Sequence, residues 1–139
     1  MTQLRPAVPA QDVAVGAIRA RLGAAPGKGR GVFAALDVKA GEIVVTDACI
    51  DLTAADNAAL AGTLVDDYVF AHPKSDARGL LVLGLASLAN HADDPTVATE
   101  FAYDRDLGWF VTLRAIRDIS AGDEITRRYA CPPWFNVRT

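Results

Sequence analysis

At 139 residues, with 51% hydrophobic and 22% charged side chains, the chain is one folded domain, too short for two and too apolar to stay disordered. A net charge of −3 and a pI of about 5.2 argue against a nucleic-acid footprint and suit a locally basic partner such as a lysine-containing segment. The longest apolar stretch, Gly79 to Ala89, is far short of the roughly 20 residues of a membrane helix, and the first residues lack the apolar core of a signal peptide, so a cytoplasmic protein without membrane contact is expected.

Residues 1–13, with Pro6 and Pro9, read as a mobile lead-in to a domain over 14–135, and 136–139 as a short tail. Val15 to Leu22 alternates, with Ile18, Ala20 and Leu22 on one face and Arg19 and Arg21 on the other, which predicts a strand. Gly23 to Gly31 reads as a glycine-rich loop, Gly31 to Leu36 as a second strand, and the β-branched run Glu42 to Cys49 as a third. Thr53, with an acid three residues on, opens a helix whose apolar stripe is Ala58, Leu60, Ala61, Leu64, Val65 and Tyr68. His72-Pro73-Lys74 ends it. Leu80 to Leu88 holds a short strand or a helical turn, which periodicity does not separate. Val97 to Tyr103 and Trp109 to Ala115 alternate cleanly around the hairpin loop 104–108. A turn at 118–123 leads into a last strand, Glu124 to Arg127, and Cys131-Pro132-Pro133-Trp134-Phe135 forms a stiff aromatic tail. Many short strands, one or two short helices and no βαβ alternation predict a mainly β domain and argue against a doubly wound parallel sheet. The plentiful Ala, Val, Asp and Arg beside scarce Lys and Asn point to a GC-rich, bacterial coding sequence.

Three stretches carry chemistry. In Gly27-Lys28-Gly29-Arg30-Gly31, Lys28 is followed by glycine rather than Ser or Thr, so the loop is no Walker A motif. A dinucleotide-type loop must open a helix, and Val32 to Leu36 followed by Gly41 leaves at most one turn. What remains is a plain turn, or a hairpin whose backbone lies close against a ligand because no Cβ intervenes. Asn90-His91 ends an apolar run, which is either an ordinary turn or the delivery of two polar side chains to a site. Gly122-Asp123-Glu124-Ile125-Thr126 followed by Tyr129 is, at its plainest, a turn followed by a strand with an edge tyrosine. Cys49, Cys131 and the two histidines have no zinc-ligand spacing, so no metal is expected.

Together these pieces resemble the SET-domain protein lysine methyltransferases in order and spacing: Gly-Arg-Gly-Val-Phe-Ala at 29–34, Asn90-His91 with Pro95 four residues on, and Gly-Asp-Glu-Ile-Thr-x-x-Tyr at 122–129. Asp66-Asp67-Tyr68-Val69-Phe70 and the tryptophan after Tyr129 add to the likeness, which covers about Ala14 to Phe135. In size the chain is similar to compact viral and bacterial SET proteins without zinc-bearing flanking modules. The resemblance implies a β-clip-like fold of small curved sheets, with a C-terminal segment threaded knot-like through a preceding loop. It implies S-adenosylmethionine as methyl donor and, as partner, a protein presenting an accessible lysine from the opposite face. The compact viral relatives suggest a homodimer.

Carried over by position, Lys28, Gly29, Arg30, Gly31, Asn90 and His91 would bind the cofactor, Trp134 or Phe135 would cover its adenine, Tyr129 would be the catalytic tyrosine at the cofactor, and Tyr68 would line the lysine channel. Methyl transfer to an amine is an in-line displacement that rewards alignment, and it needs a neutral amine, although free lysine has a pKa of about 10.4. A narrow aromatic channel disfavours the ammonium by desolvation. The sequence departs from the family pattern at Ala92, at Thr96 where Asn is usual, and at Arg127, where an aromatic or aliphatic residue usually helps set how many methyls are added. The alternative from another class is a catalytically silent SET domain that binds a protein or peptide.

Overall fold

The computed structural model describes residues 14–16 and 19–129. They form nine strands, one α-helix and two 3-10 turns, a mainly β architecture as expected. No helix among them is long and apolar enough to cross a membrane.

The first hairpin joins β1 (Ala20–Ala25) to β2 (Gly29–Ala34). The predicted glycine loop is much narrower than expected, because Gly23 already pairs with Gly31 and Ala25 with Gly29. Only 26–28 turn the chain. Lys28 donates its N–H to the Ala25 carbonyl at 2.9 Å. Pro26 precedes Gly27 at φ 75°, the arrangement of a type II turn. The predicted apolar face of this strand holds only in part: Ala20 is buried in the core, whereas Leu22, on the outer strand of its sheet, is 46% exposed.

β3 (Ile43–Leu52) pairs with β8 (Gly108–Ala115) through its first half and with β5 (Gly79–Val82) through its second. With β4 (Val69–Ala71) and β7 (Val97–Asp104) as outer strands, the sheet order is β4-β5-β3-β8-β7. Four strand spacings would separate β4 from β7 by about 19 Å in a flat sheet. Yet the Phe70 and Phe101 rings on those strands meet edge to face with centroids 6.4 Å apart. The sheet is therefore strongly curled, and its two edges face one another. Val45, Leu80, Val111 and Leu113 inside the curl are fully buried, as are Val32 and Ile125 from the smaller sheet.

The expected single helix is split. Thr53 caps α1 (Ala54–Leu60) by accepting the Asp56 N–H at 3.1 Å, as its capping pattern predicts. The chain then breaks at Gly62 with φ 80° and resumes as a 3-10 turn, Leu64–Tyr68. α1 buries no residue, and Leu64 is 74% exposed, so the apolar stripe across 58–68 does not face the core. A strained glycine position ended the helix before its stripe could be used.

Leu80 to Leu88 contains both predicted alternatives in series: strand β5, then a 3-10 turn, Leu85–Leu88. The buried Asp47 holds that turn by accepting the Ala86 N–H at 2.8 Å. A Cβ at Gly84 would lie 2.1 Å from the Asp47 carboxylate, so only glycine fits there. Burial raises the Asp47 carboxyl pKa above its ordinary value, and the Ala86 N–H partly opposes the shift. Nearby, burial and then the Asp47 charge push the Cys49 thiol up to about 11, which leaves it a weak nucleophile.

This anchored run delivers β6 (Asn90–His91), a strand of two residues. β6 lies parallel to β9 (Glu124–Arg127), with Asn90 opposite Thr126 and His91 opposite Arg127. β9 itself sits between β6 and β2, giving the order β1-β2-β9-β6. Thr96, one of the departures from the family pattern, secures this crossing. Its hydroxyl accepts the Thr126 N–H at 3.0 Å while its own N–H reaches the Thr126 carbonyl at 3.1 Å. The end of the predicted threading, beyond Tyr129, lies outside the described residues.

Candidate functional site

The crossing of β6 and β9 against the first hairpin brings the three motifs together. Asn90 donates both amide hydrogens: Nδ2 reaches the Arg30 carbonyl at 3.0 Å and Glu124 Oε2 at 2.8 Å. The other Glu124 oxygen accepts from Lys28 Nζ at 2.9 Å. Glu124 is thus the hub between the glycine hairpin and Asn90, and sequence reasoning missed it. The only available signal was an acidic residue at the start of the last strand, within the motif that ends in Tyr129. Gly31 lies against this network. A Cβ there would come within 2.8 Å of both Asn90 Nδ2 and Glu124 Oε2, so close approach, rather than a special dihedral, requires the glycine.

His91 works behind the site. Its Nδ1 accepts the Tyr129 backbone N–H at 3.0 Å and its Nε2 lies 2.9 Å from Asp93 Oδ1. Nδ1 is therefore an acceptor, which places the neutral ring's proton on Nε2, toward Asp93. The ring also stands edge-on to Tyr129, with centroids 5.1 Å apart. The Tyr129 hydroxyl donates to the Ala89 carbonyl at 3.4 Å. Burial raises the phenol pKa above its ordinary value; Arg127 opposes this, while Tyr68 and Asp67 add to it. Tyr129 is consequently a neutral hydrogen-bond donor at physiological pH and not a phenolate base.

Two cavities meet at Tyr129. The smaller, about 200 Å³, is lined by Lys28, Arg30, Asp67, Tyr68, Ser87, Leu88, Asn90 and Tyr129. Five of the residues expected to bind cofactor or line the channel converge there; Tyr68 stands on this side. The larger, about 350 Å³, opens between the facing sheet edges, with Phe70, Val97, Phe101 and Ile116 among its walls. Asp67 and Tyr129 line both cavities. Gly29, Gly31 and His91, also expected at the cofactor, are not among the residues that line the smaller cavity. Trp134 and Phe135, expected over the adenine, lie outside the described residues.

The larger cavity holds a feature that motif spacing did not suggest. Arg127 is only 9% exposed. Its guanidinium carbon lies 3.7 Å from the centroid of the Phe70 ring and 4.5 Å from that of Tyr129. Both rings thus offer their negative faces to one internal cation.

The donor set of the smaller cavity suits S-adenosylmethionine. Lys28 and Arg30 match a carboxylate, Asp67 matches an ammonium or sulfonium charge, and Tyr68 and Leu88 provide apolar surface.

Comparison with known proteins follows the same lines. The SET domain family profile matches residues 29–130. Among solved structures, a candidate histone methyltransferase of Plasmodium falciparum superposes with a TM-score of 0.68 at 23% identity, covering 84% of this chain and 97% of that one. The Chaetomium thermophilum polycomb repressive complex 2, bound to S-adenosylmethionine in an autoinhibited conformation, matches at TM-score 0.67 and 25% identity over 83% of this chain. An active polycomb repressive complex 2 in its stimulated state reaches TM-score 0.71 at 23% identity over 88% of the chain. The chain spans only 15% and 16% of the two polycomb chains, respectively. No curated protein sequence matches it.

Proposed function

The chain belongs to the SET domain family, and from that premise we propose that it is an S-adenosylmethionine-dependent methyltransferase acting on a lysine side chain of a protein substrate. The observation that carries the reading is the meeting of two chemically different cavities at Tyr129: one polar and charged, one apolar and aromatic. The smaller would hold the cofactor, with Lys28 and Arg30 toward its carboxylate. The larger would admit the lysine.

When bound, S-adenosylmethionine supplies an electrophilic methyl group. The chain's own residues align and desolvate the acceptor. The apolar walls of Phe70, Val97 and Phe101 shed water and disfavour a charged amine. Tyr129 offers a neutral hydroxyl at the junction, and its position is set by the His91 ring and the Ala89 carbonyl. Asn90 and Glu124 hold the hairpin wall in register with β9, because in-line transfer is sensitive to small misplacements.

A second reading, a SET domain that binds a protein segment without methylating it, draws on the Arg127 cation beside Tyr129. One experiment separates the two. The full chain is melted with and without S-adenosylmethionine or S-adenosylhomocysteine, then incubated with labelled cofactor and an arrayed library of lysine-centred peptides. A hundredfold excess over the dissociation constant should add about 2.7 kcal/mol of stability, and labelled peptides should appear. A folded protein with no thermal shift at millimolar cofactor refutes the cofactor assignment. Cofactor binding with no labelled peptide favours the binding module.

A further inference from the structure

Of the described residues, Asp67 and Tyr129 line both cavities. Tyr129 has its place in the proposed transfer, and Asp67 has none so far. Among the described residues Asp67 is also the only carboxylate that lines either cavity. It stands on the 3-10 turn Leu64–Tyr68 and is exposed. The ion pairs nearby engage other acids: Lys28 holds Glu124, Arg78 holds Asp51 and Arg117 holds Asp94. The Asp67 charge also reaches the Tyr129 phenol, where it is one of the causes that raise the pKa. Its field therefore acts at the junction of the two cavities.

We infer that Asp67 distinguishes unspent from spent cofactor: its carboxylate favours S-adenosylmethionine over S-adenosylhomocysteine, so that transfer itself loosens the product. The inference rests on the methyltransferase reading above, with the cofactor in the smaller cavity. For a methyl group to pass from one cavity to the other, the sulfur that carries it must lie at their junction. That sulfur is cationic before transfer. In the transfer the amine lone pair becomes the N–C bond, and the C–S electron pair stays on sulfur as a neutral thioether. The positive charge passes to the methylated nitrogen and departs with the peptide. The adenine, ribose, ammonium and carboxylate of the cofactor are the same in both forms. Only a group that senses the charge on sulfur separates them strongly, and Asp67 has the sign and the position to do so.

A rival partner for Asp67 is the cofactor's ammonium, which both forms carry. The ammonium shares its carbon with the carboxylate, and the carboxylate suits Lys28 and Arg30, which line the smaller cavity and not the larger. The amino-acid end is thereby drawn toward those two cations, and the sulfur, two carbons further along the chain, is left for the junction that Asp67 lines. The exposure of Asp67 sets the size of the effect. Opposite unit charges several ångströms apart in well-hydrated surroundings change a dissociation constant about three- to tenfold. Because water and salt reach the carboxylate, the preference must weaken as ionic strength rises.

The test is calorimetric binding of three ligands to the full chain: S-adenosylmethionine, S-adenosylhomocysteine and sinefungin, which carries an ammonium in place of the methyl-bearing sulfonium. Wild type, Asp67→Asn and Asp67→Glu are compared, with circular dichroism to check that each is folded. Asp67→Asn should weaken the two ligands charged at that position about three- to tenfold and S-adenosylhomocysteine by less than about twofold. Asp67→Glu should keep most of the preference. In wild type, raising KCl from about 50 to about 500 mM should narrow the gap between S-adenosylmethionine and S-adenosylhomocysteine, a measurement that needs no variant. Equal losses for all three ligands assign Asp67 to the shared ammonium and overturn the inference. So does a folded Asp67→Asn protein that binds all three like wild type, or a wild-type preference that salt leaves unchanged. In each of those cases the cofactor assignment stands. A folded wild type that binds none of the three removes the assignment and the inference together.

Discussion

Replacing Tyr129 with phenylalanine separates a packing role from a role in transfer. The ring keeps its surroundings: the edge contact with His91 at 5.1 Å, the Arg127 guanidinium at 4.5 Å and the backbone bond to His91 Nδ1. The hydroxyl is lost, and with it the bond to the Ala89 carbonyl. At 3.4 Å that bond is longer than the usual range of about 2.5–3.0 Å for O–H···O. Its loss should therefore cost less than about 1 kcal/mol of stability, or no more than about 4 °C in Tm for a domain of this size. If the hydroxyl instead helps place the amine and the methyl group, removing it should lower kcat by about 10²–10³, equivalent to roughly 2.7–4 kcal/mol of barrier. The two effects differ enough to be read independently. The assay is single-turnover methyl transfer to the best library peptide, beside thermal melts and cofactor titration of both proteins. Tyr129→Phe should melt close to wild type, bind cofactor with little change and lose most transfer. A variant that retains full activity refutes a role for the hydroxyl. A variant that melts far lower refutes the estimate of its structural share.

Asn90→Ala removes both donors to Arg30 and Glu124 and should cost about 1–3 kcal/mol of stability, with cofactor affinity falling alongside; unchanged urea midpoints would show that neither bond matters. Gly31→Ala places a methyl 2.8 Å from Asn90 Nδ2 and Glu124 Oε2 and should destabilise by about 1–3 kcal/mol, less in an Asn90→Ala background; strict additivity in a double-mutant cycle contradicts the clash. For Asp47, burial raises the native carboxyl pKa above 3.8, so the native state holds the proton more tightly than the unfolded chain. The stability this group contributes is present below the unfolded value and lost as pH rises through the raised native one. Urea melts should show wild type falling relative to Asp47→Asn between pH 3.8 and neutrality, and parallel curves would refute the assignment.

Short-range features of this protein are legible in its sequence because their causes are local. Thr53 caps α1 through the Asp56 N–H three residues away, and Gly108, at φ 88°, closes the hairpin between β7 and β8. The motif residues Lys28, Arg30, Asn90 and Tyr129 are legible because the order and spacing of three short motifs resemble those of the SET family; Asn90 also stands out as a polar residue ending an apolar run. The sequence also displayed a helical stripe through Leu64 and Val65 that the fold leaves exposed, since periodicity records a capacity for burial and not the presence of a partner surface. What those residues do was decided by strand placement. β9 enters between β2 and β6, so Glu124 reaches Lys28 across 96 residues and Asn90 across 34. The curling of the larger sheet set Phe70 beneath Arg127. Neither pairing has a local signature: each depends on which sheet edges meet, and that follows from burying the whole set of apolar faces at once rather than from any one segment.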